Sequence, residues 1–168
     1  FDAVTDQAIY GHLQGRHVMG VYPLLDDDTC WFLAADFDKE AWKQDVGAFA
    51  DTCRALGLPV AIERSRSGNG AHAWFFFAAP VSAKAARRMG CYLLTLTMNR
   101  RHELRMTSYD RLFPNQDTMP VGGFGNLIAL PLQHSARRVG NSVFLDQDLQ
   151  LYEDQWAYLS TLPRMTAE

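Results

Sequence analysis

Two aspartates, Asp36 and Asp38, close the apolar run Trp31-Phe32-Leu33-Ala34-Ala35-Asp36-Phe37-Asp38. Side chains alternate along a strand, so the two carboxylates share one face while Phe37 points to the other. Carboxylates about 7 Å apart on one face repel each other unless a cation lies between them, and a set of oxygen ligands suits Mg²⁺ or Mn²⁺. The competing reading is that Asp38 merely opens the following helix, where an aspartate caps the positive end of the helix dipole.

A second chemical candidate is Ser65-Arg66-Ser67-Gly68-Asn69-Gly70-Ala71-His72, which runs into the aromatic stretch Trp74-Phe75-Phe76-Phe77. Gly68 and Gly70 leave backbone N–H groups unobstructed, Ser65 and Ser67 add hydroxyls, and His72 follows on the next strand. Such a turn can cradle an anion, phosphate above all. A tight hairpin with a satisfied histidine is the plainer account of the same residues. The aromatic stretch reads as core rather than as a stacking platform. A two-cation site needs a third acid; Asp110, Asp117 and Asp146 each follow or adjoin a hydrophobe, and spacing does not choose among them. Arg137, between Leu132-Gln133 and Gly140-Asn141, is either a reach for a triphosphate or an ordinary loop arginine.

The elements that must position these residues can be read from periodicity. Residues 3–14 predict a short helix; His17–Leu24 and Thr29–Asp38 predict two strands, joined as a hairpin by the Asp26-Asp27-Asp28 turn. Trp42, Val46, Phe49, Cys53 and Leu56 recur at helical spacing over Lys39–Leu56, and Gly57 with Pro59 ends that helix. Val60–Glu63 and Ala71–Ala78 predict a second pair of strands, and Ser82–Glu103 a helix with its stripe on Met89, Leu93 and Leu96. Less regular segments follow over Thr107–Leu112 and Pro114–Gly125. A strand over Asn126–Leu132, a hairpin-like piece over Asn141–Leu145 and a short helix over Tyr152–Leu159 complete the chain. The order β-β-α-β-β-α-β, joined by hairpins, predicts an α+β fold with an RRM-like antiparallel sheet flanked by helices rather than a doubly wound nucleotide fold.

A chain of 168 residues that is 48% apolar has enough material for one sizeable core, so a single globular domain is expected. Opening on Phe1 rather than Met, it reads as a piece of a longer protein that carries further domains. It contains neither an apolar run of about 18 residues nor a signal segment, so no membrane association is expected and the location is read as cytoplasmic. Cys30, Cys53 and Cys91 lack zinc spacing and read as small buried hydrophobes. A net charge of −3 argues against coating duplex DNA by bulk electrostatics. Yet 13 of the 16 basic residues are arginine, clustered as Arg64/Arg66, Arg87/Arg88, Arg100/Arg101/Arg105/Arg111 and Arg137/Arg138, which suits local phosphate contacts.

Taken in order, Asp36-Phe37-Asp38, a helix, Ser67-Gly68-Asn69-Gly70-Ala71-His72 and a later hydrophobe-Asp resemble the archaeo-eukaryotic primase superfamily, whose three motifs are Asp-x-Asp, Ser-x-His and hydrophobe-Asp. The Ser-Gly-x-Gly-x-His form is similar to that of the polymerase domain of bacterial end-joining ligases. The segments Gly20–Leu25, Phe113–Asp117 and Gly122–Gln133 are more closely similar to primase-polymerases of prokaryotic conflict systems, the TOTE type included, and of CRISPR systems. The resemblance implies that residues 1–168 are one primase-polymerase catalytic domain with Asp36, Asp38 and Asp110 as ligands of two divalent ions, Mg²⁺ or Mn²⁺. It implies that His72 and Ser67 contact the phosphates of an incoming (d)NTP, with Ser65, Arg66, Gly68, Gly70 and Arg137 in support, and that the partner is single-stranded DNA template or primer-template. The alternatives from other classes are a catalytically idle RRM-like nucleic-acid-binding module and a metal-dependent nuclease.

Overall fold

The computed structural model describes residues 4–101 and 106–166; Arg105 and the end of the helix predicted to reach Glu103 lie outside the described residues. The chain runs α1 (Asp6–Leu13), β1 (Gly20–Val21), β2 (Thr29–Asp38), α2 (Trp42–Ala55), β3 (Ala61–Arg64), β4 (Gly70–Ser82), α3 (Ala83–Arg100), β5 (Tyr109–Phe113), β6 (Ile128–Ala129), α4 (His134–Arg137), β7 (Val143–Leu145) and α5 (Gln155–Thr161). Five strands form one antiparallel sheet in the order β5-β2-β4-β3-β7. This is the α+β architecture of antiparallel strands flanked by helices that the sequence predicts.

Alternation along β2 sends Leu33, Ala35 and Phe37 to one face, where all three are fully buried. There α2 and α3 cover them. Phe49 of α2 packs on Phe37 and Phe75 with ring centroids 5.5 and 6.1 Å away. Gly90 of α3 lies so close to the sheet that an added Cβ would stand 3.0–3.1 Å from the methyls of Leu112 and Leu33. Burying Phe49 contributes about 2–3 kcal/mol, and the helix stripe exists for that purpose. The opposite face of the sheet is therefore free of these helices.

The predicted hairpin between the first two strands does not form. β1 pairs with β6, Gly20 opposite Ala129 and Val21 opposite Ile128. β4 takes one edge of β2 along its length, and β5 takes the Ala34–Phe37 part of the other. The Asp26–Asp28 turn is still tight: Asp27 Oδ1 accepts from the Thr29 amide at 3.2 Å and hydroxyl at 2.6 Å. Asp28 ties it elsewhere, its carbonyl accepting from the Ala83 amide and its carboxylate from the Met119 amide.

Two further segments differ from expectation. Tyr109–Phe113, expected to be irregular, is a regular strand on β2; β7 closes the expected hairpin-like turn, Leu145 bridging Leu151, and also pairs with β3. α5 begins at Gln155, three residues later than predicted, because Asp154 caps it by accepting from the Trp156 and Ala157 amides at 2.9 and 3.0 Å. Cys30 and Cys53 are buried as expected, and burial pushes their thiols up to about 11 and about 12; Cys91 is exposed on α3. Among the described residues no helix is long and apolar enough to cross a membrane.

Candidate functional site

The strand register assembles the site on the face that α2 and α3 leave open. Asp36 lies opposite His72, and His72 lies opposite Glu63, so three polar side chains form a row across β2, β4 and β3. Asp38 lies opposite Gly70. On the other edge of β2, Phe37 pairs with Tyr109, which leaves the next residue, Asp110, facing the acidic side. One carboxylate oxygen from each of Asp36, Asp38 and Asp110 lies within 4.8 Å of the other two. Asp36 is the most sheltered, with 13% of its side chain exposed, and Asp110 the least, with 37%. Asp117 is instead ion-paired with Arg87, and Asp146 closes its own turn by accepting from the Asp148 and Gln150 amides. Neither joins the row.

Asp38 does not cap α2. That position belongs to Ala41, which makes no side-chain cap. The Asp38 amide instead donates to the Ser108 carbonyl at 2.7 Å, and Ser108 is pinned by Asp45 of α2, which accepts from its amide at 3.1 Å and its hydroxyl at 2.6 Å. Asp45 is 2% exposed. It fixes the entry to β5, and with it Asp110, to the helix layer. Asp45→Ala leaves two Ser108 donors buried without a partner, so a loss of about 2–4 kcal/mol is expected. Urea unfolding checks this, with Asp45→Asn, which keeps an acceptor, losing about half as much.

Electrostatics set the demand at the acidic row. Burial, reinforced by the charges of Asp38 and Asp110, pushes the Asp36 carboxyl up to about 6 despite opposition from His72 and Arg111. Arg111 Nε donates to Asp110 at 2.6 Å. Oxygen-only donors that converge on one point, with burial and neighbouring carboxylates opposing the charge of Asp36, fit a divalent cation such as Mg²⁺ or Mn²⁺. Asp36, Asp38 and Asp110 are the residues that can hold it.

The Ser65–Gly70 turn is built differently from the open cradle that its composition predicts. The Gly68 amide donates to the Ser65 carbonyl at 2.9 Å and the Asn69 amide to Ser67 Oγ at 3.2 Å, so two of its N–H groups are engaged within the turn. Gly68 adopts φ +80°, a conformation that favours glycine. Gly70 is required by proximity: a Cβ there would stand 2.5 Å from the Phe37 carbonyl oxygen and 2.6 Å from Asp38 Oδ1. Ser65 is buried, with its hydroxyl 3.1 Å from that of Ser67, while Arg66 and Ser67 are exposed at the tip.

His72 sits at the centre of the row. Its Nδ1 donates to Glu63 at 2.8 Å, and its Nε2 stands 3.6 Å from Asp36 Oδ1. Burial opposes charge on the ring, but the hydrogen bond to Glu63 and the carboxylates of Glu63, Asp36 and Asp38 outweigh it, so its pKa is raised. Glu63 and Asp45 are the residues that sequence reasoning missed. The only local signal for Glu63 is an acid ending the apolar run Val60-Ala61-Ile62, and its partner stands nine positions away on another strand.

Beyond His72 the face turns apolar. Trp74, Phe75 and Phe77 are buried, as expected of core, whereas Phe76 is half-buried and stacks on Trp74 with planes 7° apart. Phe32, Trp74, Phe76 and Phe144 line a recess of about 300 Å³ that Leu132 and Trp156 complete. Arg137 lies with its guanidinium 5.3 Å from the Trp156 ring centroid, and one of its terminal nitrogens is buried with no hydrogen-bond partner among the described residues.

Comparison with known families adds one finding. A family model described as the TOTE conflict system, archaeo-eukaryotic primase domain, matches residues 1–168. No curated protein matches the chain.

Proposed function

Since the chain belongs to the archaeo-eukaryotic primase domain family of TOTE conflict systems, a primase-like nucleotidyltransferase family, we propose that it extends, and can start, nucleic-acid strands on a template. The observation that carries this reading is the row itself: three convergent carboxylates with a histidine directly in register beside them. Residues 1–168 act as a single catalytic domain. The substrates are a (d)NTP and single-stranded DNA template or primer-template.

The reaction is attack of a 3′-hydroxyl on the α-phosphorus of the nucleotide, with the bond to pyrophosphate breaking as the new ester forms. Two divalent ions, Mg²⁺ or Mn²⁺, held by Asp36, Asp38 and Asp110, supply charge neutralisation of the phosphates and activation of the hydroxyl when bound. The protein's own part is placement and electrostatics, as phosphoryl chemistry requires. His72 Nε2 and the Ser67 hydroxyl donate to phosphate oxygens; Ser65 and the glycines hold the turn that carries Ser67. Arg66 at the tip and Arg137 on α4 offer guanidinium groups to the triphosphate or the template backbone. The elevated pKa of His72 favours the charged ring that an anionic substrate needs.

Incubation of labelled primer-template with dNTPs and Mg²⁺ or Mn²⁺ tests the reading. Lengthened products are expected; shortened ones would establish a nuclease instead, and nucleic-acid binding without metal-dependent nucleotide binding would establish an idle module. His72→Ala is expected to raise the nucleotide KM about tenfold with a smaller change in kcat, about the worth of one charge-assisted contact. An unchanged KM removes His72 from the nucleotide site.

A further inference from the structure

We propose that Glu63 is the positioning residue of this site: through His72 it decides which ring nitrogen faces the acidic row, and thereby where the phosphates of the nucleotide bind. The inference rests on the nucleotidyltransferase reading for the phosphates, but its first half, the hold on the ring, stands on geometry alone.

A carboxylate that is 2% exposed in the interior of a sheet is costly unless donors satisfy it. Three do so here. Glu63 Oε2 accepts from His72 Nδ1 at 2.8 Å and from Trp74 Nε1 at 2.9 Å, and Oε1 accepts from the Ser142 hydroxyl at 3.4 Å. The indole N–H can only donate, so it anchors the acceptor independently of the histidine. Trp74 also closes off ring motion, its plane standing 84° to that of His72 with centroids 5.9 Å apart. Phe113 stands edge-on as well, at 82° and 6.5 Å.

The consequence falls on the other edge of the ring. When one imidazole nitrogen is committed, the remaining one defines what the residue can offer. Nε2 is 3.6 Å from Asp36 Oδ1, beyond hydrogen-bond length, so this nitrogen keeps its capacity for a ligand at the acidic row. A ring turned about its Cβ–Cγ bond would put carbon where Nε2 now stands. The carboxylate also serves the buried Trp74 and Ser142 donors, but of its three partners only His72 reaches the acidic row, which points to the hold on the ring as what it contributes to the site. Metal sites use the same device, a carboxylate behind each histidine, and lose about 10–100-fold in affinity or activity without it.

The test pairs ring spectroscopy with kinetics. In protein labelled with ¹⁵N-histidine and free of metal and nucleotide, His72 is expected to show a slowly exchanging ring N–H at Nδ1. Glu63→Leu should lose that signal and raise the nucleotide KM about tenfold with kcat within about threefold. Glu63→Gln, whose amide oxygen can take the place of Oε2, should keep the signal and stay within about threefold in KM. The proposal is overturned by a wild-type ring without the Nδ1 signal, by an unchanged KM in Glu63→Leu, or by a Glu63→Gln variant as impaired as Glu63→Leu. Should Glu63→Leu fail to fold, the spectra of wild type and Glu63→Gln decide the matter, since a signal absent from either contradicts the geometry. If wild type shows the Nδ1 signal but never incorporates a nucleotide, the reading of the site falls and the phosphate-placing role with it, while the hold on the ring is upheld.

Discussion

Asp36→Asn is expected to reduce nucleotide incorporation by at least about a thousandfold, the cost of removing a central charge-bearing ligand from a phosphoryl-transfer site, and at the same time to make the metal-free protein more stable. The two effects have one origin. Burial of Asp36 on the sheet face, with the charges of Asp38 and Asp110 beside it, raises its pKa in the fold from 3.8 to about 6. An acid raised in the folded state takes up a proton on folding between those two values. Stability therefore falls as pH climbs through that window, and above about 6 the deficit is fully expressed. Holding the carboxyl at about 6 instead of 3.8 corresponds to about 3 kcal/mol, which screening by water at this half-open site reduces to about 1–2 kcal/mol.

Asparagine removes the charge and recovers that deficit. In chelator at pH 8, Asp36→Asn should melt about 3–6 °C above wild type, and near pH 4 the difference should vanish, because wild-type Asp36 is then protonated. Mg²⁺ should raise the melting temperature of the wild type and leave the variant unmoved. A variant that still extends a primer sinks the assignment of Asp36. One that is less stable than wild type at pH 8 sinks the account of why the residue is strained.

The second large effect is expected from one methyl group. Gly70→Ala places a Cβ 2.5 Å from the Phe37 carbonyl oxygen and 2.6 Å from Asp38 Oδ1. The carboxylate can swing away, but the carbonyl belongs to the β2 backbone and cannot, so the β2–β4 ladder must open at the Asp38–Gly70 pair. A destabilisation of about 2–4 kcal/mol follows from overpacking of this kind. Because Asp38 moves with the strand, incorporation should drop at least about a hundredfold, the scale of an ångström-sized misplacement. Gly47→Ala supplies the contrast. No atom lies within 4 Å of a Cβ at that helical position, so alanine should stabilise the fold by about 0.5–1 kcal/mol with activity intact. Urea unfolding and primer extension on both variants separate a loss of glycine as such from a clash at the site. Equal behaviour of the two would contradict the role of Gly70.

Gly70 also illustrates how a motif can be recognised for one reason and built for another. The pair Gly68 and Gly70 suggests open amides for an anion, yet Gly68 serves a left-handed turn and Gly70 serves the approach of β4 to Asp38. What the glycines contribute to the site is the closeness of the serine turn to the acidic row. Composition alone does not distinguish these uses, because both need the same missing side chain.

Much of the site was legible because its signals are local. Alternation put Asp36 and Asp38 on one face of a strand, helical spacing from Trp42 to Cys53 revealed the layer that covers the other face, and the order of the short motifs carried the family resemblance. Period and order are properties of the chain before it folds. The rest depended on which strands become neighbours. Spacing left Asp110, Asp117 and Asp146 equivalent; pairing of β5 with β2 brings Asp110 to the row and leaves the others at an arginine and a turn. Glu63 reaches His72, and Asp45 reaches Ser108, only across the sheet and between layers. β1, expected beside β2, pairs instead with β6, more than a hundred residues along the chain. The sequence by itself determined the two long helices, the two long strands and the residue types that a nucleotidyl-transfer site uses. Only the tertiary structure decided which acids meet, which carboxylate stands behind His72 and why Gly70 is glycine, since hydrogen bonding across strands joins residues that no sequence period connects.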